Sequence, residues 1–282
     1  MVILAGLNRW TMELKQIGVV RSEIKKRDDM PVYGVNAEVE IFEEFVPALS
    51  GIDGNSHVIL LCWLHEADRN VLKAVPRKIS TSLPEQGVFS LRSPARPNPI
   101  SVTVAKMHRR YGKYLFLSNV DAIDGTPVLD IKPYQVGWDC IFSAKNPDRS
   151  EKIKKMMPQN YKESLVREAI NFHGERCTGL ATAIRMGTVA NLVLGCDLRN
   201  DEVGIIIGKN PCISDALIGI TSARLGNGRL LYNLRPKEKV TADSYSIFNQ
   251  DKAIIFKLKK FMKDFEGILE SDVNDLFEIE IV

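Results

Sequence analysis

The run Arg92-Ser93-Pro94-Ala95-Arg96-Pro97-Asn98-Pro99-Ile100 holds three prolines and two arginines. Proline fixes φ and carries no backbone N–H, so this run forms neither regular helix nor central strand and must be a rigid loop. Two guanidiniums on a loop whose shape is set in advance make a clamp for a carboxylate or a phosphate. The same composition also suits a surface turn whose arginines are solvated. Further on, Asp124-Gly125-Thr126-Pro127 is a turn by its residue types, and Leu129-Asp130-Ile131-Lys132-Pro133-Tyr134 ends a strand with an acid, a base and a phenol. That strand end is either a pocket rim bearing both signs of charge or a surface ion pair of little energetic weight.

A different chemistry is spelled by His173, Cys177 and Cys212. The first two are four residues apart and share a face if that turn is helical, while a helix N-terminus favours the thiolate form of a cysteine. Cys212, also at a predicted helix start, completes a soft N/S set suited to zinc or a related transition metal. Buried structural thiols are the plainer alternative. Lys106, His108, Arg109, Arg110 and Lys113 cluster at a hairpin tip, as phosphate contacts or as solvated charges.

These groups need a scaffold, and 282 residues suit two domains better than one. With 45% hydrophobic and 26% charged residues both halves should fold, and a net charge of +3 excludes a wholly basic nucleic-acid binder. Five cysteines, odd in number, widely spaced and without a secretory signal, predict a cytoplasmic protein. No apolar run approaches the roughly 18 residues that span a bilayer, so no membrane partner is expected. Residues 1–11 stand apart from the pattern, and Met12 is a candidate start.

Short β-like segments follow at Ile17–Val20, Ala37–Phe42, His57–Leu64, Gly87–Leu91, Ser101–Met107 and Tyr114–Val120, with helix only at Phe45–Leu49 and a turn near Asp68. The character changes after Pro147. Residues 148–170 read as helical linker, Leu180–Leu194 and Ser214–Leu225 as helices, and Val203–Ile207 and Leu230–Asn233 as strands. The tail from Ile254 ends in a charged amphipathic helix and a strand at Phe277–Val282. The fold class is α+β: a mostly antiparallel β-barrel domain over 12–147, then a smaller α+β domain over 158–282.

Ile17-Gly18-Val19-Val20-Arg21-Ser22, the Arg92–Ile100 run and Asp124-Gly125-Thr126-Pro127-Val128-Leu129-Asp130-Ile131-Lys132-Pro133-Tyr134 resemble, in order and spacing, the TsaA-like family, also called TrmO. The resemblance covers about residues 14–140. It implies a small β-barrel methyltransferase, a homodimer through the barrel, with S-adenosylmethionine held next to the subunit interface and, in bacterial members, a threonylcarbamoyl-modified adenosine of tRNA as acceptor. Carried over by position, it assigns the cofactor to His65, Glu66, Arg92, Ser93, Arg96, Asn98, Val102, Thr126, Pro127, Val128 and Leu129. Asp130, Lys132 and Tyr134 fall on the substrate side as catalytic candidates. Methyl transfer from a sulfonium to nitrogen needs chiefly in-line positioning, so no sharp triad is expected. Ser101 stands where the family usually has glycine, Met30-Pro31-Val32-Tyr33 lacks an arginine usual there, and the Asp-Pro-Arg-Pro motif of bacterial members does not occur.

His173-Gly174-x-x-Cys177-x-Gly179, Arg185-Met186-Gly187, Cys212-x-x-Asp215-Ala216 and Thr221-x-x-x-Leu225-Gly226-Asn227-Gly228 resemble the FmdE-like domain, an α+β fold that binds metal near these residues in some members. The metal set implied is His173, Cys177 and Cys212. Glu175 replaces a common histidine and Thr178 a usual proline. Together the resemblances predict an S-adenosylmethionine-dependent methyltransferase acting on tRNA. The competing readings are a methyltransferase for a small C1-type cofactor or a metal-delivered thiol, and a non-catalytic sensor of S-adenosylmethionine or metal.

Overall fold

Alternation of buried and outward residues along the strands of the N-terminal half gives each strand one apolar face, and such strands bury that face by closing on themselves. The computed structural model describes residues 13–31, 33–77, 79–144, 146, 148–232, 244–260 and 263–282. In it β1 (Gly18–Arg21), β2 (Val35–Ile41), β3 (His57–Trp63), β6 (Ile100–Tyr111), β7 (Tyr114–Val120) and β8 (Pro127–Pro133) close a barrel in the order β1-β2-β7-β6-β3-β8. Every neighbouring pair is antiparallel. Val20, Val39, Ile41, Val58, Leu60, Leu115, Leu117 and Val128 fill it, each at most 1% exposed. Between β3 and β6 the chain leaves the barrel and forms the two-residue strands β4 (Lys73–Ala74) and β5 (Gln86–Gly87). A short helix, α1 (Val136–Asp139), follows β8.

The described residues divide into two compact units, the first holding residues 13–77 with Pro84–Ile141 and the second Ile79–Leu83 with Phe142–Val282. The second unit combines helices with a sheet. Its helices are α2 (Arg149–Lys154), α3 (Pro158–His173), α4 (Thr178–Leu194) and α5 (Pro211–Thr221), with the shorter α6 (Phe265–Glu270) and α7 (Val273–Leu276). They accompany a five-stranded sheet of order β10-β9-β11-β12-β13, built from β9 (Gly204–Ile207), β10 (Leu230–Tyr232), β11 (Ser244–Phe248), β12 (Ala253–Leu258) and β13 (Phe277–Ile281). Among the described residues only β9 and β10 pair in parallel. Helix α4 is the central post: nine of its residues are buried, many of them Gly, Ala or Thr, which lets neighbouring elements approach closely. Both units together give the α+β class.

Several expectations need correction. Gly87–Leu91 is not a strand: only Gln86–Gly87 pairs, and Val88–Ser90 is a turn of 3-10 helix, because the Arg96 guanidinium draws in the carbonyls of Val88 and Leu91. The helix read to Leu225 stops at Thr221, where Ser222 turns left-handed with φ 54°. The tail opens with β12, which pairs with β11, a strand not foreseen, and its helical part is the two pieces α6 and α7. Met12, Pro147, Val32 and Asn233 lie outside the described residues.

Candidate functional site

Strand β3 runs antiparallel to both β6 and β8, so its C-terminal end meets the start of each: Trp63 pairs with Ile100 and Cys62 with Val128. One end of the barrel therefore gathers the turn carrying His65 and Glu66, the proline loop that enters β6, and Thr126–Leu129. The Leu64 N–H donates to the Pro99 carbonyl at 2.8 Å, tying the first two together. His65, Glu66, Arg92 and Asn98 are exposed there, and Ser93 is half-buried. Thr126 is buried and its hydroxyl donates to the Ile123 carbonyl at 2.7 Å. The Ser22 N–H donates to Asp124 Oδ1 at 3.1 Å, so the turn into β8 is held from both sides.

The two loop arginines do different work. Arg96 donates to the Ser93 carbonyl at 3.0 Å and to the carbonyls of Val88 and Leu91, so its charge is spent fixing the loop. Among the described residues Arg92 makes one long contact, 3.5 Å to the Val102 carbonyl, and is otherwise exposed. Sequence reasoning missed a further acid at this barrel end: Thr103, buried, donates to the Asp121 carboxylate. Its only signal was a threonine at an inward position of β6.

On β8 an irregularity opposite Leu61/Cys62 inserts Leu129 as an extra residue, so that Asp130 pairs with Leu61 on the outward face while Val128 stays inside. Lys132 Nζ lies 2.7 Å from Asp130 Oδ2. Tyr134 donates its N–H to the His57 carbonyl at 3.1 Å and sets its ring edge-on to His57, 6.5 Å between centroids. His57 is the opposite end of β3 from Trp63, about 20 Å away at roughly 3.3 Å per residue. Within one chain, Asp130 is nearest the Arg92 loop and Tyr134 does not join it. Burial pushes Tyr134 above the ordinary phenol range, and pushes the Cys62 thiol up to about 12, which leaves it inert.

The cations of the β6–β7 hairpin are mostly engaged. Lys113 pairs with Glu40 at 3.2 Å and Glu43 at 3.4 Å, Arg110 donates to the carbonyls of Gly112 and Leu49, and Arg109 lies over the Phe116 ring at 4.1 Å.

In the second unit the expected helical turn from His173 to Cys177 is absent. His173 is the last residue of α3, Gly174 ends that helix with φ 100°, and Cys177 caps the start of α4 by accepting from the Leu180 N–H at 3.4 Å. The two side chains meet across this corner instead, His173 Nε2 lying 3.4 Å from Cys177 Sγ. Cys212 arrives from the first turn of α5, which Asn210 caps. The three donor atoms lie within 4.8 Å of one another. Asp215 Oδ2 sits 3.3 Å from His173 Nδ1; with the proton on Nδ1, the Nε2 lone pair faces the thiols, as in carboxylate–histidine–metal arrangements. Zn–S of about 2.3 Å and Zn–N of about 2.0 Å set tetrahedral donors about 3.5–3.8 Å apart, so the set fits a zinc-like ion with a position to spare. Desolvation, then the neighbouring Cys177, raises the Cys212 thiol. Gly179 permits the convergence: a Cβ there would lie 2.6 Å from Cys212 Cβ. Beside it opens a cleft of about 390 Å³, lined among others by Thr178, Asn210, Leu258 and Lys260.

A closed antiparallel barrel with an arginine-bearing proline loop at one end, followed by a separate α+β unit with an N/S/S donor group, defines a two-module chain. Residues 19–140 match the model of the tRNA-methyltransferase O N-terminal domain, and residues 172–276 that of FmdE, molybdenum formylmethanofuran dehydrogenase operon. A protein of Methanothermobacter thermautotrophicus described as "Probable S-adenosyl-L-methionine-binding protein" is 42% identical over 46% of this chain and 95% of its own length. One of the same description from Archaeoglobus fulgidus is 36% identical over 78% of this chain; the chain spans 61% of that relative's length. The tRNA (adenine(37)-N6)-methyltransferase of Mus musculus is 43% identical over 35% of this chain and 23% of its own. The chain belongs to the tRNA-methyltransferase O N-terminal domain family and carries an FmdE domain behind that module.

Proposed function

We propose that this chain transfers the methyl group of S-adenosylmethionine to N6 of an adenine beside the tRNA anticodon, with threonylcarbamoyl-adenosine as the modified base. The observation that carries the reading is the gathering of His65, Glu66, the Arg92–Asn98 loop and Thr126–Leu129 at one barrel end, with Arg92 left free because Arg96 fixes the loop. The donor set fits the cofactor: Arg92 suits its carboxylate, Glu66 its cationic and hydroxyl-bearing parts, and His65, Ser93 and Asn98 offer hydrogen bonds. Backbone groups of Thr126, Pro127, Val128 and Leu129 frame the nucleoside, and the outward Val102 gives an apolar wall. When bound, the cofactor supplies an electrophilic methyl group, and the residues around it have chiefly to hold donor and acceptor in line.

Asp130, Lys132 and Tyr134 act on the acceptor, which requires a second copy. The outward faces of β3 and β6 carry Ile59, Leu61, Trp63, Val102 and Val104, the last two 49% and 36% exposed. A two-fold axis lying in this face perpendicular to β3 would reverse that strand and bring Tyr134 of the partner subunit to the Arg92 end. His173, Cys177 and Cys212 hold zinc with one position open, and the FmdE module serves as a metal-binding accessory. Among the described residues no helix is long and apolar enough to cross a membrane, and the reaction assigns the protein to the cytoplasm with its tRNA.

Incubating the purified chain with labelled S-adenosylmethionine and total tRNA tests the reading. Arg92→Ala lowers incorporation about 100-fold, the scale of a lost charge-assisted clamp; incorporation unchanged by that substitution, or confined to small molecules, counts against it.

A further inference from the structure

The excursion from the barrel, residues 64–99, holds six Lys or Arg against three Asp or Glu, a surplus of three that equals the net charge of the whole chain. Its centre is an aromatic ring held out from the surface. Phe89 is 84% exposed, while Val88 beside it is buried. The 3-10 turn that presents Phe89 is fastened on every side. Arg96 binds the carbonyls of Val88 and Leu91 on either flank, the Val88 N–H donates to the Leu72 carbonyl at 3.0 Å, and the Ser90 hydroxyl donates to the Gly87 carbonyl at 2.8 Å. Leu72, 66% exposed, adjoins it through that same bond. Lone exposed apolar residues are ordinary, but this one sits on a turn whose backbone is fastened, in a stretch with a surplus of cations. Lys73 pairs in register with Gly87, and Arg77 follows on the same excursion. Both are exposed, and among the described residues neither forms an ion pair.

An exposed ring on a fastened turn, with unspent cations on the same excursion, suits a single-stranded nucleic acid, because every base has a face to stack and every nucleotide a phosphate to pair. We propose that Phe89 is a stacking platform for an unpaired base of the substrate RNA, with Lys73 and Arg77 meeting the neighbouring phosphates. This deepens the tRNA reading and rests on it.

The test is binding of a fluorescent anticodon stem-loop RNA to the full chain by anisotropy across a salt series, alongside calorimetry with S-adenosylmethionine. Phe89→Ala is expected to weaken RNA binding about tenfold and Phe89→Trp to restore it, the size of one lost base stack. Lys73→Gln and Arg77→Gln each flatten the salt dependence by about one unit of slope. Donor affinity stays unchanged in all four. RNA affinity indifferent to Phe89→Ala, or a loss matched by loss of donor binding, overturns the platform even where the wild-type chain methylates tRNA. A wild-type chain that binds the RNA through Phe89 but transfers no methyl group sinks the enzyme reading alone.

Discussion

In the barrel unit the residues proposed to hold the cofactor come from runs contiguous in sequence, and strand register delivers them to one end: β3 need only pair with the first residues of β6 and β8. In the second unit the three donors sit at three helix termini, and no sheet register brings them together; two capped helix starts and a left-handed glycine do. The barrel end is set by a ladder that tolerates change in any one side chain. The corner of His173, Cys177 and Cys212 is set by contact between small groups, so it should be brittle where the barrel is robust.

The largest effect expected from that contrast is at Gly179. A valine there brings two further carbons into the space where even a Cβ would be 2.6 Å from Cys212 Cβ and 3.2 Å from Asn210 Oδ1. Overpacking of this kind costs about 3 kcal/mol, a fall in melting temperature of about 6–12 °C for a unit of this size. Zinc per chain, measured by mass spectrometry on metal-loaded protein, should drop below about a tenth of an equivalent. Methyl transfer by the barrel should survive at a temperature where the variant is folded. Full metal binding in Gly179→Val would remove the contrast.

A smaller loss tests whether the barrel has a brittle point of its own. Arg96 serves three carbonyls, of Ser93, Val88 and Leu91. Arg96→Met leaves them without a charged donor at a cost of about 2 kcal/mol, read as a shift in the denaturation midpoint. Donor affinity by calorimetry should fall although Arg96 need not touch the ligand, because the Arg92 loop loses its shape. Arg96→Lys should recover little, since one ammonium does not match the fork of a guanidinium. An affinity that held in Arg96→Met would show that the prolines alone set the loop.

The same contrast explains what the sequence disclosed. The Arg92–Ile100 and Asp124–Tyr134 runs announce themselves, since prolines and turn residues act locally and the strands between them alternate. Which arginine was free was not legible, because the choice depends on carbonyls up to eight residues back that turn toward Arg96. For the same reason Gly87–Leu91 looked like a strand: its composition is β-like, and the turn is imposed by a distant guanidinium. In the second unit the donors were legible by type, but the corner between α3 and α4 was not, since Gly174 reads equally as a helical interruption or an end. The run Ala253–Leu258 is apolar and short, a case in which periodicity does not separate strand from helix, and β11 became evident only through its pairing with β12 and β9.

The smallest expected effect on stability belongs to the outward pair on β8, and it separates scaffold from chemistry most cleanly. Asp130 and Lys132 touch at 2.7 Å, yet their side chains are 46% and 59% exposed, so solvent and salt screen the attraction. Lys132→Met should therefore move stability by less than about 0.5 kcal/mol, within the usual range for exposed pairs. If Lys132 faces the acceptor, the same substitution should cut methyl transfer to tRNA about tenfold, chiefly in KM for tRNA, with donor affinity unchanged. The bulge at Leu129 favours this outcome: it turns Asp130 outward beside Leu61, where a barrel interested only in its core would have kept the plain alternation. A variant equal to wild type in both stability and transfer would return the pair to the solvated surface and leave the acceptor side of the site to other residues.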